Sequence, residues 1–286
     1  MSGSMTSTLN QDQSDYWNGE VGQRWALYHE ALDTAFAPFT EALFARAALA
    51  PGARVLDIGC GAGDTALRAA RQVGSGGHVT AADLSEPLLA VGRERAAREA
   101  SGAAPIDWLR ADAQDHAFGA RFDHALSRFG VMFFEDSTAA FANIRRSLVA
   151  GGRMSFLCWR NMAENAWVTL ARDAVLPILP ETEAPQPGAP GPFRFAAPQT
   201  LMPILEAAGF HAIECEPVDR MMRVGDTPEA AADFVATRGP IARLLREREP
   251  DVKDAALKII TALFRDRFGS GPVELGAACW LVTART

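Results

Sequence analysis

The chain has 286 residues, of which 48% are hydrophobic and 22% are charged. This length accommodates one sizeable α/β domain with a smaller appended part, and this composition argues against wholesale disorder. The formal net charge of −7 argues against nucleic-acid binding, which typically needs a basic surface. No apolar run is long enough to span a bilayer, and the polar N-terminus lacks the apolar stretch of a secretory signal. We therefore expect a cytoplasmic protein with no membrane or nucleic-acid partner.

The cysteines predict neither a metal site nor a dithiol redox centre. Cys60, Cys158, Cys215 and Cys279 are widely scattered, and none belongs to a C-x-x-C pair. This spacing is typical of free, buried thiols in a reducing compartment. We expect no bound metal.

The N-terminal segment is predicted to be helical. Residues 16–48 carry apolar and aromatic side chains at mostly three- and four-residue spacings. Pro38 is expected to divide this segment into two helices, because proline lacks the amide hydrogen that a helix interior requires. Pro51 and Gly52 then signal a turn.

Short apolar runs alternate with helical patterns over the next hundred residues. The predicted strands cover residues 54–58, 78–82, 106–110, 122–127 and 153–159. The predicted helices between them cover residues 65–73, 87–99 and 138–148. Such alternation implies right-handed βαβ units and a mainly parallel, doubly wound sheet.

The pattern loosens after Trp159. Six prolines between residues 177 and 192 predict a semi-rigid extended loop. We expect the remaining helices over 198–208, 228–249 and 251–268, and the last strands over 211–224 and 277–284. The expected topology is a hairpin of the last two strands, interrupted by helices that form a lid.

The most informative run is VLDIGCGAG, residues 55–63, in which glycines follow a predicted strand. Such glycines let the backbone approach a ligand closely, and the following helix N-terminus favours polar groups. A dinucleotide fingerprint requires a further glycine three residues after the second, where this chain has Asp64. An acid there disfavours a pyrophosphate. Asp57, at the end of the strand, instead favours a cationic or zwitterionic ligand.

Two further acids end the next two predicted strands. Asp83 suits the binding of ribose hydroxyls, and Asp112 suits an exocyclic amine. The carboxyl ends of parallel strands share one edge of the sheet, where open α/β sheets bind ligands. Each acid alone is also compatible with an ordinary turn residue, but all three beside a glycine loop predict a ligand site.

These motifs resemble those of class I S-adenosylmethionine-dependent methyltransferases. The similarity runs from VLDIGCGAG through AADLS around Asp83, RADAQD around Asp112 and SRFGVMFF from Ser127, and into RSLVAGGRMSFLCWR from Arg146. Residues 14–30, SDYWNGEVGQRWALYHE, are similar to the N-terminal helix of a bacterial subgroup related to ubiquinone and menaquinone methyltransferases. The quinone substrate is not carried over with this likeness.

The resemblance implies a doubly wound, seven-stranded, mainly parallel sheet of Rossmann-like type, with S-adenosyl-L-methionine as the cofactor. It implies an N-terminal helical cap over residues 1–50 and a cofactor-binding core over residues 51–160. Residues 161–286 would supply the lid insertions and the last strands of the sheet.

The resemblance also assigns contacts along the cofactor. Asp57 would meet the amino group, and Asp83 would hold the ribose with Leu84 against the adenine. Asp112 and Ala113 would meet the adenine edge. The methionine part would be lined by Gly59, Gly61 and Gly63.

Aromatic side chains are expected around the reacting centre, because aromatic faces stabilise a cation such as a sulfonium. The resemblance implies that Ser127 and Phe129 lie beside the sulfonium and the substrate. It also implies that Trp17 and Trp25 close the site from the N-terminal helix. Ordinary core packing is the alternative for the two tryptophans.

Methyl transfer is an in-line displacement that depends on alignment and exclusion of water, so it needs little acid–base help. If a base acts, His29 is the candidate, since it lies four residues from Trp25 and so on the same helix face. An ordinary surface histidine is the alternative.

Four residues are expected to contact substrate. Tyr28 and Trp159 would contribute aromatic walls. Arg128 and Arg160 would bind a substrate carboxylate through a bidentate fork. Ion pairing on the protein surface is the alternative for both arginines.

The sequence therefore predicts methyl transfer to a small-molecule acceptor in a water-excluded pocket, by a monomer or homodimer. A non-catalytic S-adenosylmethionine-binding regulatory protein and another transferase on the same fold are the alternatives.

Overall fold

The computed structural model describes residues 10–98, 101–119, 121–179, 188–246 and 248–286. Within these ranges the chain forms a seven-stranded sheet in the order β3-β2-β1-β4-β5-β7-β6. Strands β1 to β5 are parallel, and β7 runs antiparallel to both β5 and β6. This confirms the predicted fold class. The strands β1 to β7 are Arg54–Ile58, His78–Asp83, Ile106–Arg110, Phe122–Arg128, Leu148–Trp159, His211–Gly225 and Val273–Arg285.

Helices precede the sheet, connect its strands and fill the β6–β7 hairpin. Helices α1 to α3 precede β1, α9 to α11 lie between β6 and β7, and α3 contacts β4 to β7. Of the helices within the described ranges, none is long and apolar enough to cross a membrane. Helices α1 to α11 are Gln11–Asn18, Glu20–Leu27, His29–Ala47, Asp64–Val73, Glu86–Ala96, Ser137–Ser147, Ala166–Val175, Pro198–Ala207, Pro228–Arg238, Pro240–Leu245 and Pro250–Phe268.

The centre of the sheet explains the continuous apolar runs of the sequence. Val55, Leu56 and Ile58 of β1 are at most 2% exposed, because β1 lies between β2 and β4 and layers of helix cover the sheet. The same position buries Asp57 completely. The strand thus carries a carboxylate to the carboxyl edge of the sheet inside an apolar environment.

The predicted division of the N-terminal helix at Pro38 is wrong. The breaks fall at Gly19 and Tyr28, and α3 continues through Pro38. The α3 face that includes Phe39 and Leu43 is fully buried, so packing on the sheet outweighs the one hydrogen bond that proline removes.

Other boundaries differ because strand pairing extends the hairpin. β7 begins at Val273 rather than residue 277, since it pairs with β6 as far as Gly225. The expected helix over 228–249 is divided into α9 and α10 by Gly239, and α7 was not predicted at all. Half of the predicted loop over 177–192, residues 180–187, lies outside the described residues.

A buried histidine in β4 gives the fold a measurable acid sensitivity. His124 is 5% exposed, and its Nε2 lies 3.0 Å from Ser155 Oγ on β5. Burial, with a smaller effect of Arg153, lowers its pKa to about 4. The unfolded chain therefore takes up the proton first, and the free energy of unfolding falls as the pH drops from about 6.5 to 4.

We expect His124→Gln to reduce the acid-induced fall in the free energy of unfolding by up to about 3 kcal/mol, which is the free energy equivalent of the pKa shift. The measurement is urea unfolding of the variant and the wild type at pH 4.5 and pH 7. His211→Gln, at the exposed start of β6, is the matched control. Equal acid sensitivity in wild type and His124→Gln would contradict the assignment.

Candidate functional site

The glycine loop joins β1 to α4 at the carboxyl edge of the sheet. Gly59, Gly61 and Gly63 have φ angles of 64°, 54° and 88°, a region that favours glycine. A Cβ on Gly59 would lie 2.9 Å from the Cα of Gly130, and one on Gly63 would lie 2.4 Å from Trp108 Cη2. A Cβ on Gly61 would meet no atom of the described residues within 4 Å. Two of the glycines are thus required by neighbouring groups, while Gly61 borders open space.

Asp57 is the most perturbed acid of this edge. Thr65 Oγ1 donates a 2.6 Å hydrogen bond to Oδ2, whereas Oδ1 is buried without a partner in the part of the chain that the structure describes. Burial raises the pKa of Asp57 to about 7. An unpartnered buried carboxylate oxygen attracts an N–H donor, above all a charged one.

Asp83 connects the glycine loop to the loop that follows β2. Its Oδ2 accepts a 2.7 Å hydrogen bond from the amide of Gly61, and its Oδ1 accepts a 2.8 Å bond from the amide of Ser85. Burial raises its pKa. Each carboxylate oxygen retains a second lone pair, so Asp83 has capacity for two hydroxyl donors.

Asp112 follows β3 and is partly covered by the start of α1. Its Oδ1 accepts from the amide of Gln114 at 2.9 Å, and its Oδ2 accepts from Asn10 Nδ2 at 3.1 Å. The carbonyl of the neighbouring Ala113 accepts from Asn143 Nδ2 at 3.0 Å. The end of β3 is therefore held from both the N-terminal segment and α6.

The N-terminal helices dock on the loop after β2. Asn18 Nδ2 donates to the carbonyl of Leu84 at 3.0 Å, and Asn18 Oδ1 accepts from the amide of Glu86 at 3.0 Å. Ser85 Oγ donates to the carbonyl of Trp17 at 2.7 Å. These polar contacts were missed from the sequence. The repeated asparagines near the helix termini were the available signal, because such residues favour caps and turns.

The end of β4 adopts an unusual backbone conformation. Ser127 Oγ donates to the carbonyl of Ile58 at 2.8 Å and so ties β4 to β1. Phe129 has a φ of 61° and stacks on Trp159, with ring centroids 3.9 Å apart and an interplanar angle of 7°. A bulky residue in this region is strained, and such strain clusters at functional sites.

An aromatic cluster surrounds this stacked pair. Phe36 of α3 lies 5.4 Å from Phe129 and 6.2 Å from Trp159 between ring centroids. Further contacts extend the cluster through Trp17, Trp25, Phe133 and Trp167. The predicted tryptophans, the stacked pair and α3 are thus brought together in one aromatic wall.

Both arginines predicted to bind substrate form ion pairs. Arg128 contacts Asp64 and Asp33, and it donates to Thr40 Oγ1 at 2.8 Å. Arg95 also pairs with Asp33 at 2.8 Å. The ion pairs therefore run from Asp64 through Arg128 and Asp33 to Arg95. This geometry favours the ion-pair interpretation for Arg128 and leaves Asp64 neutralised beside the glycine loop.

Arg160 has the same kind of environment on the other side of β5. It pairs with Asp219 at 2.9 Å and with Glu164, and its guanidinium lies over the ring of Trp280. The ion-pair interpretation is favoured here as well.

The predicted spatial relation between His29 and Trp25 is wrong. The two residues were expected on one helix face, but α2 ends at Leu27 and α3 begins at His29. The Nδ1 of His29 lies 2.9 Å from the carbonyl of Ala26. The adjacent Tyr28 has the guanidinium of Arg238 over its ring, at 3.6 Å from the centroid.

Arg128→Gln is expected to lower the free energy of unfolding by about 2–3 kcal/mol, because it leaves two partly buried carboxylates with one cation. Arg93→Gln is the matched control, since its pair with Glu86 is 41% and 45% exposed and is expected to contribute under about 1 kcal/mol. Urea unfolding measures both. Equal losses in the two variants would show that the Arg128 network contributes no more to the free energy of unfolding than an exposed ion pair.

No group of three or more His, Cys, Asp or Glu side chains within the described ranges is arranged to hold a metal ion.

The central region of the chain is similar to known methyltransferases. Residues 55–152 match the family described as methyltransferase domain. A 2-phytyl-1,4-naphtoquinone methyltransferase of Synechococcus elongatus is 41% identical over 108 residues, covering 37% of this chain and 46% of that protein. The chain thus spans about half the length of the curated relatives it matches.

Solved structures extend the likeness over almost the whole chain. Magnesium protoporphyrin IX methyltransferase from Synechocystis, with bound S-adenosylhomocysteine, gives a TM-score of 0.56 at 14% identity and covers 97% of this chain and 99% of that chain. The phosphoethanolamine N-methyltransferase 2 of Haemonchus contortus gives 0.56 at 18% identity and covers 97% and 59%. At these identities the likeness concerns the fold. Residues 55–152 therefore match the methyltransferase-domain family, and the chain shares its overall fold with methyltransferases of known structure.

Proposed function

We propose that this protein transfers a methyl group from S-adenosyl-L-methionine to a small-molecule acceptor. The observation that carries the proposal is the buried carboxylate of Asp57, whose Oδ1 has no partner among the described residues. It stands at the end of the strand that feeds the glycine loop, where Gly61 borders open space. The relatives with named activities support the class of acceptor, since those proteins are named for a naphtoquinone, a porphyrin and a phosphoethanolamine.

The chemistry of these residues fits an amino-acid nucleoside. Asp57 would bind the ammonium group. Asp83 would bind the ribose hydroxyls beside Leu84, and Asp112 with Ala113 would meet the adenine edge. The methionine part would lie along Gly59, Gly61 and Gly63.

The bound cofactor supplies an electrophilic methyl group on a sulfonium. The chain's own task is then to align the acceptor with that group and to exclude water. Ser127 fixes the end of β4, and the ring faces of Phe129 and Trp159 offer an apolar, cation-tolerant wall. Trp17 and Trp25 would close this wall from the N-terminal side.

We retain His29 as the proposed base for acceptors that must lose a proton. If Nδ1 donates to the carbonyl of Ala26, the lone pair remains on Nε2, which is the form that a base requires. Tyr28 and Trp159 remain proposed substrate contacts. The ion pairs of Arg128 and Arg160 make a role in carboxylate binding the less favoured proposal for them.

We propose the division into a helical cap at 1–50, a cofactor-binding core at 51–160 and lid and last strands at 161–286. A cytoplasmic location is supported by three buried free cysteines, Cys60, Cys158 and Cys279. A monomer or homodimer is the proposed assembly, with a small-molecule substrate as the partner.

The experiment is a transfer assay with methyl-labelled S-adenosylmethionine and a small-molecule extract. We expect label in the low-molecular-weight fraction with the wild type and with Asp251→Asn, an exposed acid of α11. We expect much less label with Asp57→Asn, because this variant should bind the cofactor more weakly. Binding of the cofactor without transfer to any pool would favour a regulatory protein, and label in RNA or protein would overturn the small-molecule assignment.

A further inference from the structure

The chain has two tyrosines, and an arginine of the β6–β7 insertion covers each of them. Arg238, the last residue of α9, has its Cζ 3.6 Å from the ring centroid of Tyr28. Arg246, which follows α10, has its Cζ 4.9 Å from the ring centroid of Tyr16. Arg246 Nη2 also lies 3.2 Å from Tyr16 Oη and donates to it. Both contacts join the insertion to the N-terminal helices.

The cation of the Arg238 contact is shielded from water, whereas Tyr28 is 37% exposed. Its side chain is 5% exposed, and its acidic partner is Asp233 of the same helix, at 3.0 Å and 49% exposed. Its Nε is buried without a partner in the described part of the chain. The ring of Phe234 also contacts this guanidinium, at 5.4 Å from Cζ to the ring centroid. A cation held this way depends on aromatic faces, and such contacts strengthen when they are desolvated.

Each pair borders the aromatic wall of the site. Tyr16 packs edge-on against Trp17 at 5.3 Å between ring centroids. Tyr28 directly precedes α3, which carries Phe36 into the wall. On the insertion side, a Cβ on Gly239 would lie 3.3 Å from the ring of Trp167. The insertion and the N-terminal helices therefore meet next to the site. The two tyrosine–arginine pairs connect them there.

We infer that Tyr16, Tyr28, Arg238 and Arg246 form a clasp that holds the insertion on the N-terminal helices and controls the rate at which ligands leave the site. The inference rests on the proposed function, because that function places a nucleoside cofactor under this cover. In this role the four residues are positioning residues, because they hold the insertion and the N-terminal helices together, and Tyr28 has this role in addition to its proposed contact with substrate. Two cation–π contacts suit a cover that must open in every catalytic cycle. Each contact can separate without exposing a large apolar interface to water.

The test is the dissociation rate of radiolabelled S-adenosylhomocysteine, followed by filter binding after addition of excess unlabelled S-adenosylhomocysteine. We expect Tyr28→Leu and Arg238→Met each to raise this rate about tenfold, the scale of a partly desolvated cation–π contact. Tyr28→Phe keeps the ring and is expected to stay within about twofold of the wild type. Tyr16→Phe, which loses the hydrogen bond alone, is expected to lie between these limits.

A double-mutant cycle separates the clasp from a general loss of structure. Tyr28→Leu combined with Arg238→Met should dissociate no faster than either single variant, because both remove one contact. Additive effects, or a Tyr28→Phe variant as fast as Tyr28→Leu, would overturn the clasp. If the wild type does not bind S-adenosylhomocysteine, the proposed function itself fails. If it binds and the rate is unchanged in all variants, only the clasp fails.

Discussion

Replacing Asp57 with asparagine is expected to stabilise the unliganded protein above pH 7 and, at the same time, to weaken S-adenosylhomocysteine binding by about 30- to 150-fold. The binding loss corresponds to about 2–3 kcal/mol, the scale of a hydrogen bond to a charged group. The opposite signs arise from one cause. The carboxylate of Asp57 is buried, and its Oδ1 has no partner among the described residues, so the protein without ligand carries a buried charge that a cationic ligand would satisfy.

The pH dependence follows from the pKa of Asp57, which burial raises from 3.8 to about 7. Between these values the folded protein holds more protons than the unfolded chain, so the free energy of unfolding falls as the pH rises. The cost is complete above pH 7 and is at most about 4 kcal/mol. Asparagine avoids it but brings an amide that needs a partner, so we expect a net gain on the order of 1–2 kcal/mol.

Urea unfolding at pH 8 and pH 5 measures the stability difference, which should be present at pH 8 and small or reversed at pH 5. Calorimetry over the same range measures binding. The wild type should lose affinity about tenfold per unit below pH 7, because the ligand must compete with a proton, and Asp57→Asn should show little such dependence. A variant that is less stable than the wild type at pH 8, or that binds equally well, would contradict this assignment.

Gly59→Ala and Gly61→Ala are expected to separate folding from binding. Both glycines have a positive φ, so alanine brings a strain of about 1 kcal/mol at each. At Gly59 the added Cβ also lies 2.9 Å from the backbone of Gly130, which cannot move aside as a side chain can. We therefore expect Gly59→Ala to lower the free energy of unfolding by about 2–4 kcal/mol, against about 1 kcal/mol for Gly61→Ala.

Gly61→Ala, the variant with the smaller expected loss of stability, is expected to impair ligand binding directly. A Cβ on Gly61 meets no described atom within 4 Å, and it would enter the space that we propose for the methionine part of the cofactor. We expect Gly61→Ala to fold with a near-native melting temperature and to bind S-adenosylhomocysteine at least about tenfold more weakly. Thermal melting and calorimetry on both variants provide the comparison. Near-native binding by Gly61→Ala would show that the methionine part of the cofactor does not lie against Gly61.

The sheet and the glycine loop could be predicted because their signals are local. In residues 54–73 a buried strand, three glycines and an amphipathic helix follow one another, and each fixes the conformation of its own segment. The acids at Asp57, Asp83 and Asp112 stand at strand ends, so the parallel sheet alone brings them to one edge.

The cover of the site could not be predicted in the same way, because its contacts join distant segments. Asn10 reaches Asp112, and Asn18 reaches the backbone of Leu84, across 102 and 66 residues of sequence. Arg128 forms ion pairs with Asp33 and Asp64, which are 95 and 64 residues away in the sequence, so no local pattern around Arg128 reveals these partners. Pro38 was misjudged for the same reason, since local propensity favours a break that packing on the sheet overrides.

Calorimetric titration with S-adenosylmethionine, S-adenosylhomocysteine and NAD distinguishes the proposed site from a dinucleotide site. We expect micromolar binding of the first two and none of the third, because Asp57 requires an ammonium group and the acids at this edge disfavour a pyrophosphate. Absence of binding by both sulfur compounds, or comparable binding of NAD, would contradict the proposed site and with it the proposed methyl transfer.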